Sequence, residues 1–230
     1  MRPLFFFTFD IGMYYSIIIP IHNEESTLAQ LLYGLQEFSK KNHEIIIIDD
    51  GSTDDSSKIL KSCGYIRLIS LEKNLGKGAA LKIGLEEALH NKIIIFDGDM
   101  EIELSNIHKL MKLNKKNKID CVLGNRFDHI LPFASFWDFG NLFFTIIFNI
   151  KNNCKLRDSL CCAKAFYKSD LDIKNLKSIG FDIDIELATI LVKKSNRILI
   201  EKVNYERRTI EQGKKLKIAD GWTILRRILT

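Results

Sequence analysis

Several things missing from this 230-residue chain narrow its function before any motif is read. It has no uninterrupted apolar run of about 18 residues, the length a membrane-spanning helix needs. It has no Cys-x-x-Cys, and its five cysteines, Cys63, Cys121, Cys154, Cys161 and Cys162, are odd in number. A disulfide scaffold is thereby excluded, and a reduced, cytosolic compartment is expected. The adjacent Cys161 and Cys162 read as core packing rather than as a redox pair. No long basic run and no nucleic-acid motif is present, so the net charge of +5 does not point to nucleic acid. Its scattered lysines read as a solvated surface, or as mild attraction to phosphate ligands or an anionic membrane face. Internal repeats and low-complexity segments are also missing, which leaves one globular domain of ordinary size, or a domain plus a tail. The first residues, "MRPLFFFTFDIGM", lack a signal peptide's features: Asp10 interrupts a short apolar run and no small-residue cleavage site follows. Residues 1–12 are read as an N-terminal appendage, with Met13 the alternative natural start.

What is present alternates strand and helix. "SIIIPI", "HEIIIIDDGSTDDS" running into a turn, "IRLISLE", "KIIIFDGD" and "IDCVLGNRF" read as strands, the first two of the kind buried on both faces of a sheet. Between them lie "NEESTLAQLLYGLQEFSKK", with leucines at helical spacing, the short helix "TDDSSKILKSC", the Gly-punctuated loop "KNLGKGAALKIGLEEALH" feeding a helix, and the helix "SNIHKLMKLNKK". Ser26 or Asn23 is the expected cap of the first helix. The pattern predicts an α/β fold, a Rossmann-like, mostly parallel central sheet with helices on both faces. Ligands of such sheets bind beyond the carboxyl ends of the strands, where "HNE", "DDGS", "DGD" and "GNR" fall. Residues 130–151, "ILPFASFWDFGNLFFTIIFNIK", are apolar around much of a helix's girth. They read as a core helix or as an interfacial segment that meets lipid. The chain ends in an amphipathic stretch, "IADGWTILRRIL".

Three turns carry chemistry. "FDGDME" delivers Asp97 and Asp99 from a buried strand, on one side of an extended backbone, with Glu101 continuing that side if the chain stays extended. Three oxygen donors in a row suit Mg²⁺ or Mn²⁺; an acidic turn is the plain alternative. "NLGKGAALKIG" places glycines on both sides of Lys77 before a helix. This is either a close approach to an anion or a plain loop leading into a helix; it is not a P-loop. "DDGSTDD" is either a capped turn or a site for a nucleobase or ribose.

Together "IIIPIHNEE", "IIIIDDGSTDDS", "NLGKGAALKIG", "IIIFDGDME" and "VLGNRF", in this order, resemble glycosyltransferase family 2, in its polyprenyl-phosphate (dolichyl-phosphate-like) branch. "LRDSLCCAKAFYKSDL" resembles that branch's D-x-x-C/S-G-x-K/R segment. "FDIDIELATIL", with "YERRTIEQGKK", resembles its later motifs. The resemblance covers about residues 15 to 228. It implies a GT-A fold, a UDP- or GDP-sugar donor and a Mg²⁺ or Mn²⁺ cofactor, with residues 13–128 as the nucleotide-sugar half and 129–230 as the acceptor half. It implies that Pro20, Asn23, Glu24, Asp49, Lys77, Asp97 and Arg126 bind nucleotide sugar, Asp50 shaping the turn. It implies that Asp97, Asp99 and Glu101 hold the metal, and that Arg208, Lys214 and Lys215 form a loop over donor or acceptor phosphates. The pattern is departed from at Cys162, where a glycine is expected, at Arg207, where a proline is usual, and around Asp138, where basic residues are usual.

The implied reaction is inverting displacement at the sugar's anomeric carbon, with nucleoside diphosphate leaving. A polyprenyl-phosphate acceptor at the cytoplasmic membrane face needs no strong base, whereas a glycan hydroxyl does. The candidates for that base are Asp158, Asp184 and Glu186, each with a structural alternative. The competing readings are a soluble transferase acting on a glycan hydroxyl and a non-catalytic nucleotide-binding module.

Overall fold

The computed structural model describes residues 13–127, 136–208, 215 and 219–230. The expected appendage 1–12, the first part of the apolar segment and Lys214 lie outside the described residues. Seven strands form one sheet: β1 (Tyr15–Ile21), β2 (Glu44–Asp49), β3 (Arg67–Ser70), β4 (Lys92–Ile95), β5 (Cys121–Asn125), β6 (Lys164–Tyr167) and β7 (Ile198–Lys202). Their order is β3-β2-β1-β4-β6-β5-β7. Only β6 runs against its neighbours. The sheet therefore draws strands from both sequence halves.

Each isoleucine run is continuous because both faces of its strand are covered. Ile17, Ile19, Ile21, Ile45, Ile47 and Ile94 pack on one side with Leu28, Leu31, Leu35 and Phe38 of α1 (Glu25–Lys40) and Ile107 and Leu110 of α4 (Asn106–Leu110). Ile18, Ile46, Ile48, Ile93 and Ile95 point the other way. They meet Leu81 and Leu85 of α3 (Lys77–Glu87), Phe148 of α5 (Phe136–Asn152), Leu187 and Leu191 of α6 (Ile183–Lys194) and Ile224 and Ile228 of α7 (Asp220–Leu229). A short α2 (Ser56–Lys61) links β2 to β3.

Two local expectations are corrected. No side chain caps α1, whose preceding residue is Glu24. Asn23 instead adopts the left-handed φ of +52° that asparagine tolerates, and bonds the second loop. The helix read over "SNIHKLMKLNKK" ends at Leu110, because the chain turns and the Leu113 amide is taken by the Tyr15 hydroxyl at 3.2 Å.

Candidate active site

Parallel strands bring the carboxyl ends of β1, β2, β4 and β5 to one edge of the sheet. Antiparallel β6 begins at that edge, since Lys164 stands opposite both Ile95 and Leu123. The segment before β6, from Asp158 to Cys162, is thereby delivered beside the acidic turn after β4. Asp97, Asp99, Glu101, Ile102, Arg126, Leu160, Cys162 and Tyr205 line one pocket of about 250 Å³ there. Residues as far as 108 positions apart in sequence, Asp97 and Tyr205, thus share a wall.

The acidic turn does not stay extended. Strand β4 ends at Ile95, Met100 has a φ of +60°, and the Glu101 amide donates to Asp99 Oδ1 at 3.0 Å. A side chain in place of Gly98, between the two aspartates, would overlap the Ile21 side chain, so the turn is packed directly onto β1. Three carboxylates crowd the pocket. Burial, then repulsion from Asp97 and Glu101, pushes the Asp99 carboxyl up to about 7.

Lys77, the first residue of α3, reaches into this acid. Its ammonium lies 2.8 Å from Asp97 and 2.9 Å from Asp184. Burial opposes its charge, but Asp184 and then Asp97 outweigh that and hold its pKa well above the ordinary value. The flanking glycines serve packing rather than an open anion site. Gly76 has a φ of +96°, and a Cβ there would fall 2.4 Å from the Ile179 carbonyl. That same carbonyl accepts from the Gly78 and Ala79 amides at 2.9 and 3.3 Å, so the start of α3 is already occupied by chain.

The first two loops are stapled together. Asp49, buried at the end of β2, accepts from the Ser52 amide at 3.0 Å. Asp50, expected to shape its own turn, instead accepts from the Leu75 and Gly76 amides at 2.7 and 2.9 Å and so shapes the Lys77 loop. Asn23 bonds Ser52 and Thr53 across to the second loop, and Pro20 lies in β1 paired with Ile48. Buried Glu24 accepts from Arg208 at 2.7 Å and from the Lys215 ammonium, which also reaches the His22 carbonyl. The late basic loop is thus tied to the first loop by one carboxylate. Glu101 holds the same loop, its Oε1 accepting from the Arg208 amide at 2.9 Å.

Arg126 makes a two-pronged pair with Asp158, at 2.8 and 2.9 Å, between the rings of Phe127 and Tyr205. The three carboxylates considered as bases all have partners. Asp158 holds Arg126. Asp184, fully enclosed, is raised by burial but lowered further by Lys77 and Lys164, and its pKa stays below the usual carboxylate value. Glu186 accepts from the Lys177 and Ser178 amides at 2.8–3.1 Å and does not line the pocket.

The sequence left the roles of five participants unread. Lys164, 1% exposed, bonds Asp184 at 3.2 Å and the Cys161 carbonyl. Tyr205 stacks on Arg126. Cys162 lines the pocket as a neutral thiol, its pKa raised well above the ordinary value by its hydrogen bond to Cys161 and then by burial. Arg207 and Asp138, two of the departures from the family pattern, pair with each other at 2.5 Å. Their signal was the family motif itself, in which Lys164 and Tyr205 are fixed positions and Arg207 an exception.

Do these residues suit a divalent cation? Among the described residues no three His, Cys, Asp or Glu groups are gathered into a cage. The Oδ1 of Asp97 is nevertheless buried with no hydrogen-bond partner, and Asp99 faces the same pocket. Two carboxylates with room beside them fit a hard cation that takes its remaining oxygens from a substrate, rather than from a closed protein cage.

Comparison with known proteins agrees with this arrangement. The family model for glycosyl transferase family 2 matches residues 16–172. An uncharacterized protein of Methanocaldococcus jannaschii is 30% identical over 82% of this chain and 86% of its own. The dolichyl-phosphate beta-glucosyltransferase of Dictyostelium discoideum is 34% identical over 50% of this chain, but that match spans only 40% of the relative's length. Among solved structures, glucosyl-3-phosphoglycerate synthase from Mycobacterium tuberculosis, in complex with Mn²⁺, UDP and glucosyl-3-phosphoglycerate, superposes with a TM-score of 0.72. It does so at 18% identity, over 100% of this chain and 85% of its own. With two-thirds of its length matched by the family model, the chain belongs to glycosyl transferase family 2, and its fold is the GT-A fold of the structural match.

Proposed function

We propose that the protein transfers a sugar from a UDP- or GDP-sugar to a polyprenyl phosphate at the cytoplasmic face of a membrane. The observation that carries this is the occupation of every candidate base. Asp158 is paired with Arg126, Asp184 lies between two lysines, and Glu186 is bonded to two amides. A hydroxyl acceptor needs a carboxylate free to take its proton. A phosphate arrives ionised and does not. An acceptor phosphate oxygen attacks the anomeric carbon, the bond from that carbon to the nucleoside diphosphate breaks, and the diphosphate leaves with the electron pair.

Lys77 and Arg126 offset the charge that grows on the departing diphosphate. Mg²⁺ or Mn²⁺ held by Asp97 and Asp99 would add positive charge at the same place. Asn23, Asp49 and Pro20 stand where the base and ribose would lie. Arg208 and Lys215, tied to Glu24, close the pocket's other side, with Glu101 anchoring that loop.

The lipid part of the reading is supported by α5. Its polar residues turn inward: Asn141, Thr145 and Asn149 bond Asp158, Ser159 and Leu156. Phe148 is fully buried in the core, with Phe144 and Ile147 packed against it, but four further apolar residues turn outward: Phe139 53% and Ile150 78% exposed, with Phe143 and Ile146 lying between them in sequence. Trp222, 76% exposed, and Leu229 extend the patch onto α7 beside Arg226. Such a face, with Lys151 and Arg226 at its border, fits an anionic lipid surface. Among the described residues no helix is long and apolar enough to cross a membrane.

A second reading is favoured by the full-length structural match. The synthase from Mycobacterium tuberculosis is described in complex with phosphoglyceric acid, which makes a water-soluble acceptor the competing case. Nucleotide release should be followed with UDP- and GDP-sugars, Mn²⁺ or Mg²⁺, and either a short polyprenyl phosphate or a soluble phosphate acceptor, beside Asp99→Ala. Release that needs the polyprenyl phosphate and is lost in the variant is expected. Release supported equally by soluble acceptors, or by a glycan hydroxyl, would overturn the lipid reading. Nucleotide binding without turnover on any acceptor would favour a binding module.

A further inference from the structure

Behind the acidic pair runs an alternating chain of charges: Lys164, Asp184, Lys77, Asp97. Lys164 bonds Asp184 Oδ1 at 3.2 Å, and Lys77 bonds Asp184 Oδ2 at 2.9 Å. Two ammonium groups and two carboxylates make the chain neutral. Because Lys164 already balances Asp184, the charge of Lys77 is available to Asp97, the one member that lines the pocket. The Lys77 ammonium lies 2.8 Å from both Asp97 oxygens. Only Oδ2 accepts a hydrogen bond from it, and buried Oδ1 has no hydrogen-bond partner.

This leaves the pocket poorly prepared for a lone divalent ion. Asp97 is neutralised by Lys77. Glu101 is tied to the Arg208 amide, and Asp99 Oδ1 to the Glu101 amide. Lysine is suited to changing partners, because its ammonium has three donors on a flexible stem. Held on one side by Asp184, it can turn from Asp97 toward an incoming anion without leaving the site.

We propose that Lys77 is the resident counter-ion of Asp97 and exchanges with the divalent metal when the donor binds. In the donor-free protein the ammonium sits on Asp97. When metal and nucleotide diphosphate arrive together, Asp97 passes to the metal and Lys77 turns to the diphosphate, while Asp184 keeps it in place. Metal alone therefore binds weakly, and metal with nucleotide binds strongly. The inference rests on the metal-dependent donor site proposed above.

The test is Mn²⁺ binding followed by the paramagnetic resonance of free Mn²⁺, with no turnover required. It compares the wild type, Lys77→Met and Lys77→Gln. Gln keeps a hydrogen-bonding group near Asp184 without the charge, and serves if the Met variant does not fold. Without nucleotide, both neutral variants should bind Mn²⁺ roughly tenfold more tightly than the wild type, the scale of removing one close charge from a partly buried site. With UDP or GDP present the order should reverse, since the variants lack the cation that faces the diphosphate. A merely structural lysine would weaken binding in both conditions. Mn²⁺ affinity unchanged or lowered in the nucleotide-free variants, with normal wild-type binding of Mn²⁺ plus nucleotide, overturns the exchange and leaves the donor site standing. Failure of the wild type to bind Mn²⁺ even with UDP or GDP overturns both.

Discussion

Helices α1 and α5 are nearly equal in length, 16 and 17 residues, and cover opposite faces of the sheet. They are built in opposite senses. Helix α1 sends Leu28, Leu31, Leu35 and Phe38 inward and leaves glutamates, glutamines and lysines in water. Helix α5 sends Asn141, Thr145 and Asn149 toward the chain that carries Asp158, and leaves Phe139, Phe143, Ile146 and Ile150 outside. In α1 the apolar face stabilises the fold. In α5 the inward side combines Phe148, buried in the core, with the polar residues that position the Asp158 segment, and a second apolar stripe is left exposed.

The comparison is sharpened most by Phe38→Ala in α1, which should lower stability by about 3–5 kcal/mol, measured by urea unfolding, because a fully buried ring leaves a cavity. A loss below ~1 kcal/mol would mean that α1 is not a core element. Next comes Asn149→Ala on the inner face of α5. It removes the acceptor of the Leu156 amide and the donor to the Leu156 carbonyl, and should cost about 1–3 kcal/mol. Activity should fall further than stability alone explains, because Asp158 and Arg126 lose their alignment. Unaltered stability would show that the polar face is not structural.

The acidic pocket gives a smaller, pH-dependent effect. In metal-free protein the Asp99 carboxyl titrates near 7, against an ordinary value of 3.8. The folded state therefore holds a proton that the unfolded state has released, and stability contributed at this site declines as pH rises from about 4 toward 7. Asp99→Asn should stabilise the metal-free protein by an amount that grows by about 1–2 kcal/mol between pH 5 and pH 7 and then levels off. Melting curves at several pH values, with chelator present, check this; a gain that does not vary with pH would remove Asp99 as the source. The smallest stability effect belongs to the outer face of α5, where Phe143→Ser, Ile146→Ser and Ile150→Ser should each shift stability by within ~0.5 kcal/mol.

Much of this was legible beforehand for physical reasons. Isoleucine runs can persist only where both faces are buried, so the parallel sheet and its loaded edge followed from spacing. Asp50 as the holder of the Lys77 loop did not follow, since its two carboxylate oxygens meet amides 25 and 26 residues away. Strand β6 did not, because four residues beginning with a buried lysine do not look like a strand until Asp184 is placed against Lys164. The roles of Gly76, Glu24 and Glu101 were equally hidden. Each depends on a contact across a long stretch of sequence: Gly76 with Ile179, Glu24 with Arg208, Glu101 with the Arg208 amide. The two faces of α5 were ambiguous because both core and interface accept phenylalanine. The structure gives Phe148 to the core and leaves Phe139, Phe143, Ile146 and Ile150 exposed.

The most direct test uses the triple variant Phe143→Ser/Ile146→Ser/Ile150→Ser beside the wild type. Sugar transfer is measured to polyprenyl phosphate embedded in anionic vesicles and, separately, to a short-chain polyprenyl phosphate free in water. Transfer in vesicles should fall about tenfold or more in the triple variant, in line with the loss of three buried apolar side chains, while transfer in water is retained. Equal transfer by both proteins in both settings would contradict a membrane role for the outer face of α5.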